Sequence, residues 1–328
     1  MPAILTHDFF GRDACDDVSA SRGFVTQQQR QAFLLGNQGP DPLFYLVADP
    51  FVGGENRVGG LMHHAKPARL VSALRDALTM LTRDERPVGE AYAAGFLCHY
   101  LLDRSMHPLV YAYQYALCDA GVSGLDRSDG DEVHAEIERD LDEMVLYAKT
   151  GMTVRTFKPY REVLRADDAT LAVIDKLYFY MNLWTYSRTL DQDCYTHAVK
   201  SFRLMQRLFY APGQGKTRVL APLERRLGHK RYSLYSAMAH RDRAERTSDF
   251  DNREHRAWRN PFDGSVSTDG FWERYGAALA EVSKAQDAFF SPGFDEREAE
   301  ELTRNLNFSG QHADPDDPVG PSEPEPEA

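Results

Sequence analysis

No stretch of this 328-residue sequence approaches the roughly 18 consecutive apolar residues that a membrane-spanning helix needs, so none is expected. Cysteine is scarce as well. Cys15, Cys98, Cys118 and Cys194 stand far apart without a C-x-x-C pair, which argues against a cysteine zinc site and a disulfide frame and leaves reduced, buried thiols as the expectation. Positive charge is in deficit: 38 Lys and Arg face 50 Asp and Glu, a net charge of −12. Phosphate backbones are bound by clustered cations, so a long nucleic acid is not the expected partner. Strand-like alternation is hard to find. The opening MPAILTHDFFGRDACDD has no basic stretch followed by an apolar run, and the expectation drawn from it is a cytoplasmic chain.

What is present is a hydrophobic fraction of 42%, enough to bury a large core. Period-3.6 patterns predict helices over residues 22–36, 67–82, 87–118, 131–149, 168–188, 192–209, 230–246 and 269–290. The fourth has a start signal at Ser128–Asp131 and a stop at Gly151. Pro and Gly collect between these segments, in GNQGPDP, ADPFVGGENRVGG, APGQGK and NPFDG, which read as loops. The expected fold is all-α, a single multi-helix domain over residues 1–310. The remainder, 311–328, QHADPDDPVGPSEPEPEA, is acidic and Pro-rich and is expected to be disordered.

The segment FLCHYLLDRSMHPLVY, residues 96–111, places His99, Asp103 and His107 four apart in apolar surroundings. At about 100° per residue the three fall within roughly 80° of one another, so they share a helix face. They can converge on a metal ion; the same pattern also suits two satisfied core histidines with Asp103 paired to Arg104 or a Lys. A second helix, EVHAEIERDLDE, repeats the spacing with His134 and Glu138. His7, Asp41 in the turn GNQGPDP, and the doublet His63–His64 in MHHAKP add candidate ligands. Six of the eleven histidines lie before residue 135. Nitrogen-rich ligation with interspersed carboxylates suits two or three zinc ions better than magnesium. Clustered zinc activates water and holds phosphoryl oxygens, so phosphate-ester hydrolysis is the reaction class implied.

The ordered set THDFFG, GPDP, MHHAKP, GFLCHYLLDRSMHP and VHAEIE, spanning roughly residues 1 to 150, resembles the zinc-dependent phospholipase C family, whose all-helical fold is shared with single-strand nucleases of the P1 type. The resemblance implies one zinc on Asp41, His63 or His64, His99 and Asp103, and a second on His107, His134 and Glu138. A third would use His7 with Asp103 as a bridge. Family enzymes of known activity chelate that third ion through a processed N-terminal Trp. This chain begins MPAIL, so a third ion is expected to be held weakly. The M-H-x-x-K-P context favours His63 over His64.

Asp41, in a Gly-Pro turn, is the expected general base. Arg104 is a candidate phosphate contact. DFDNREHRAWRNPFDG offers Asn252, His255 and Trp258 as a pocket wall or as plain packing. Tyr178, Tyr180, Trp184 and Tyr186, at helical spacing, read as core. The expected function is metal-dependent hydrolysis of a phosphodiester, with a phospholipid as the best-named substrate. The alternatives are a nuclease or nucleotidase on the same fold, or a zinc-binding protein without catalysis.

Overall fold

The computed structural model describes residues 4–48, 57–123, 125–213, 215–228 and 232–313. In chain order the elements are α1 (Ile4–Arg22), α2 (Gln27–Gly36), a 3-10 segment (Asp41–Ala48), α3 (Val58–His64), α4 (Pro67–Ala77), α5 (Arg86–Cys118) and α6 (Gly130–Thr150). Then follow α7 (Pro159–Glu162), α8 (Asp168–Tyr186), α9 (Cys194–Phe209), α10 (Gly215–Gly228) and α11 (Leu234–Met238). The hairpin of β1 (Trp258–Arg259) and β2 (Val266–Ser267) leads to α12 (Phe271–Phe289) and α13 (Glu296–Thr303). The fold is all-α, with the antiparallel hairpin as the sole paired strands among the described residues. No described helix is long and apolar enough to cross a membrane.

α5 is the axis of the molecule, packed on α1, α2, α6, α8 and α12. Its middle, Ala91 to Asp103, is buried without interruption, as a helix surrounded by other helices must be. α2 crosses it closely. A Cβ on Gly36 would sit 2.2 Å from the Tyr92 carbonyl oxygen, and one on Gly95 would sit 2.0 Å from that of Phe33. Two facing glycines therefore let the backbones touch, and the turn after α2 is delivered against His99.

α6 anchors α1. The Asp142 carboxylate accepts from the backbone N–H groups of Leu5 (2.9 Å) and Thr6 (2.7 Å) and from the Thr6 hydroxyl. These are orphan donors of the first turn of α1, and a negative charge there also suits the helix dipole. His7 follows directly, so its position is set by this cap.

Several helix boundaries differ from the sequence pattern. The expected helix 22–36 is interrupted at Gly23 (φ 72°), and α2 starts from a capping box between Thr26 and Gln29. Of the described part of 230–246, residues 232–246, only Leu234–Met238 is helical. The Arg139 guanidinium donates to the carbonyls of Ser236 and Ala237, acceptors that a longer helix would have used internally. α1, α3, α10 and α13 were not expected: α1 carries no clean amphipathic stripe, α3 (7 residues) and α13 (8 residues) are too short for the period to show, and α10 holds Pro222 in its interior. Gly151 closes α6 in the left-handed conformation. Residues 311–313 of the tail are held, with the Asn307 N–H on the Gln311 carbonyl and the Ala313 N–H on that of Asn305. Residues 314–328, the rest of the segment expected to be disordered, lie outside the described residues.

Candidate metal centre

Five elements bring eight side chains to one place: His7 from α1, Asp41 at the first position of the 3-10 segment, His63 from α3, His99, Asp103 and His107 from α5, and His134 and Glu138 from α6. Two groups emerge. In Asp41, His63, His99 and Asp103, one ligand atom from each lies within 4.8 Å of all the others, and the same holds for His107, His134 and Glu138. All are buried except the half-buried His107.

Asp103 is the hub. Its Oδ1 accepts from His7 Nε2 at 3.0 Å, while Oδ2 faces His99 Nε2 at 3.2 Å, His63 Nε2 at 3.9 Å and His107 Nδ1 at 4.0 Å. Asp41 Oδ1 lies 3.0 Å from His63 Nε2 and 3.8 Å from His99 Nε2. Glu138 Oε1 lies 3.4 Å from His107 Nε2 and 3.3 Å from His134 Nε2.

The outer nitrogens of four histidines follow one rule. Nδ1 of His63 donates to the Gly59 carbonyl (2.7 Å), that of His107 to Phe308 (2.8 Å), that of His134 to the Gln114 amide oxygen (2.8 Å), and that of His99 to Asn37 (3.1 Å). An oxygen that can only accept fixes the proton on Nδ1 and turns Nε2 toward the carboxylates, the orientation that metal-ligating histidines adopt. Two buried atoms support the same reading: Asp41 Oδ2 and His99 Nε2 have no hydrogen-bond partner among the described residues. Such orphaned atoms inside a polar cluster fit a cation.

Charge within the cluster is balanced by protons when no cation is bound. Burial opposes ionisation of Asp103, yet His99, His107 and His7 hold its carboxyl well below the usual range. Burial pulls His107 down, but Asp103 and Glu138 outweigh it and lift the imidazole to about 9. His7 is raised in the same way against burial, chiefly by Asp103, whereas burial dominates at His134 and lowers it.

The turn carrying Asp41 is held by an arrangement that sequence reasoning missed. Tyr92, Tyr178 and Tyr195 all bring their hydroxyls to the Gly39 carbonyl, at 3.2, 2.8 and 3.1 Å, and to one another. Gly39 itself has φ 48°, and its bare Cα packs on the His99 ring. Phe308 was also missed. Its ring packs against those of His63 and His99, its N–H donates to the His63 carbonyl, and its own carbonyl accepts from His107.

Five expected residues stand apart from the cluster. His64 is the neighbour of His63 on α3, about 100° around the helix; it is exposed, with Nδ1 on the Gly60 carbonyl. Arg104 reaches Glu281 and the Leu302 carbonyl, fastening α5 to α12 and α13. His255 is exposed beside the Thr268 carbonyl. Trp258 donates to the Asp269 carbonyl under the Arg274 guanidinium. It lines an open cleft of about 590 Å³ with Tyr113 and Arg256, to which none of the eight cluster residues contributes. Asn252 lines the same cleft and uses its amide to tie the carbonyls of Arg256, Thr268 and Asp269.

Fold and site together define an all-α protein with two groups of side chains that could each hold a metal ion. No protein-family model matches the chain, and neither a curated protein nor a solved structure matches it.

Proposed function

We propose that the protein is a zinc-dependent hydrolase of phosphodiesters, phospholipase-C-like in substrate class. The observation that carries this reading is the inward turn of four Nε2 atoms, each fixed by an acceptor on the far side of its ring, toward three carboxylates. That donor set, rich in imidazole with interspersed carboxylate, suits zinc. Asp41, His63, His99 and Asp103 would hold one ion and His107, His134 and Glu138 another, with His7 and Asp103 available to a third. Zinc bound there would supply a water of lowered pKa and charge to hold the phosphoryl oxygens. The chain's own part is to orient. Asp41 presents an unbonded Oδ2 that can take the proton of the attacking water.

A second reading has its own support. His99 is fully buried, and even His107 is only 14% exposed, which favours an ion kept for structure over one that meets substrate. Elemental analysis of protein prepared without chelator, followed by a panel of a choline phosphodiester, a dinucleotide and a mononucleotide, separates the readings. Two or more equivalents of zinc with phosphodiester turnover supports the hydrolase, and zinc without turnover supports the structural ion. Absence of any stoichiometric transition metal removes both.

A further inference from the structure

Between residues 194 and 228 the chain carries seven Lys or Arg against the single acid Glu224, in a protein whose net charge is −12. This stretch forms α9 and α10. Six of its cations, Arg203, Arg207, Lys216, Arg218, Arg225 and Arg226, have no carboxylate within ion-pair distance among the described residues, while Lys200 is paired with Asp168. Burial, with Arg207 and Arg165 close by, even pulls Arg203 below its ordinary value. Such a concentration is unusual on an acidic surface where most other Arg and Lys side chains find an acid.

Both helices also expose apolar side chains. Leu204 is 64% exposed and Leu208 42%, one turn apart on α9; Val219 is 67% and Leu223 51%, one turn apart on α10. Lys216 Nζ, in the first turn of α10, donates to the Arg207 carbonyl near the end of α9 at 3.1 Å, which brings Arg207 and the adjacent Leu208 close to the start of α10. On α10 the inward side is Leu220, Ala221 and Glu224. The outward side has Val219 and Leu223 in the middle, flanked by Lys216 on one edge and Arg218 and Arg225 on the other. The inner face of α9 meanwhile stacks Phe202 on Tyr45, in the segment that begins with Asp41.

We infer that the outer face of α9 and α10 docks the protein on an anionic lipid bilayer, with Leu204, Leu208, Val219 and Leu223 entering the headgroup boundary and the unpaired cations contacting lipid phosphate. Aliphatic groups ringed by Lys and Arg on helices lying flat are the pattern of interfacial binding. A nucleic acid would satisfy the cations and leave four aliphatic side chains without partners. A second copy of this chain would bring like charges together. The inference uses none of the metal-cluster residues and stands whether or not the hydrolase reading does.

The test is co-sedimentation of the full chain with vesicles of phosphatidylcholine alone and of phosphatidylcholine with about a third phosphatidylserine. Binding to the second and not the first, released at high salt, is expected. Arg218→Glu combined with Arg225→Glu lowers the partition coefficient at least ~25-fold, on a basis of roughly fivefold per cation. Leu204→Ser with Val219→Ser weakens binding at low salt, where charge is intact, and a Val219→Trp protein shifts its emission to the blue on adding the anionic vesicles. Equal binding to both vesicle types, or failure of the wild-type chain to bind either, overturns the inference. So does a duplex DNA fragment that competes the protein off vesicles, or a wild-type dimer that Leu204→Ser dissociates.

Discussion

Replacing Gly39 by Ala tests the coupling between the Asp41 turn and the α5 stripe. A Cβ at position 39 would lie 2.3 Å from His99 Cδ2 and 2.6 Å from Cγ, and the residue has φ 48°. The left-handed backbone alone costs roughly 1–2 kcal/mol for an L residue. Pushing a buried ring aside adds about 1–3 kcal/mol of overpacking. Gly121 provides the control, because it has φ 72° and nothing within 4 Å of the added Cβ, so Gly121→Ala carries the backbone strain without the collision. At about 2 °C per kcal/mol for a chain of this size, Gly121→Ala lowers Tm by about 2–4 °C and Gly39→Ala by about 4–10 °C. The difference measures the collision with His99. Metal analysis gives the second reading. The displaced imidazole removes one ligand from the Asp41, His63, His99 and Asp103 group and leaves His107, His134 and Glu138 intact, so Gly39→Ala loses about one equivalent of metal and Gly121→Ala none. Equal Tm shifts for the two variants, or equal metal contents, would refute the account.

Asp41→Asn is expected to lower phosphodiester turnover on the order of 100-fold or more while most of the metal stays bound; loss of metal in proportion to activity would make Asp41 chiefly a ligand. His7→Ala removes only the weakest ion in a graded chelator titration, and release of three ions at one affinity would contradict that ranking. Tyr178→Phe takes one donor from the Gly39 carbonyl at a cost of about 0.5–1.5 kcal/mol, read by denaturant unfolding; no change would show that Tyr92 and Tyr195 suffice. Glu143 is raised by burial, against the pull of His240 and Arg139, so its ionisation opposes folding. That penalty is absent below its unfolded value near 4.5 and is felt in full above the raised folded value. Glu143→Gln, which keeps an acceptor for the Arg241 N–H, therefore gains stability relative to the parent as pH rises from 4 toward neutrality, and a pH-independent difference would exclude the mechanism.

The long helices were legible by length as well as by period. α6 keeps one apolar stripe, while α5, buried all round in its middle, is an apolar run far too long for a strand and keeps its polar residues four apart. α5 was expected at 87–118 and spans 86–118, and α6 was expected at 131–149 and spans 130–150. The same regularity made His99, Asp103 and His107 readable as one face. α1 was illegible: every residue from Ile4 to Gly11 is buried, and a helix buried all round shows no stripe. The groups that orient the imidazoles left no trace either. Three of the four acceptors are backbone carbonyls, of Asn37, Gly59 and Phe308, and every residue carries one. The three tyrosines on Gly39 come from α5, α8 and α9, too far apart in sequence for any local pattern to join them.

Phe308 has a consequence for how the molecule is made. His7 enters the cluster from the first helix, while the carbonyl that orients His107 and the ring that covers His63 and His99 come from the segment after the last one. A nascent chain that has exposed every candidate ligand still lacks this closing segment, and contacts between segments far apart in sequence form late. The ligands therefore stay incompletely oriented until the segment that carries Phe308 has been made and docked. Any ion the cluster could hold would meet its fully oriented ligands only once residue 308 is in place, and a ribosome stalled before that residue would hold a chain with all eight side chains and no finished site.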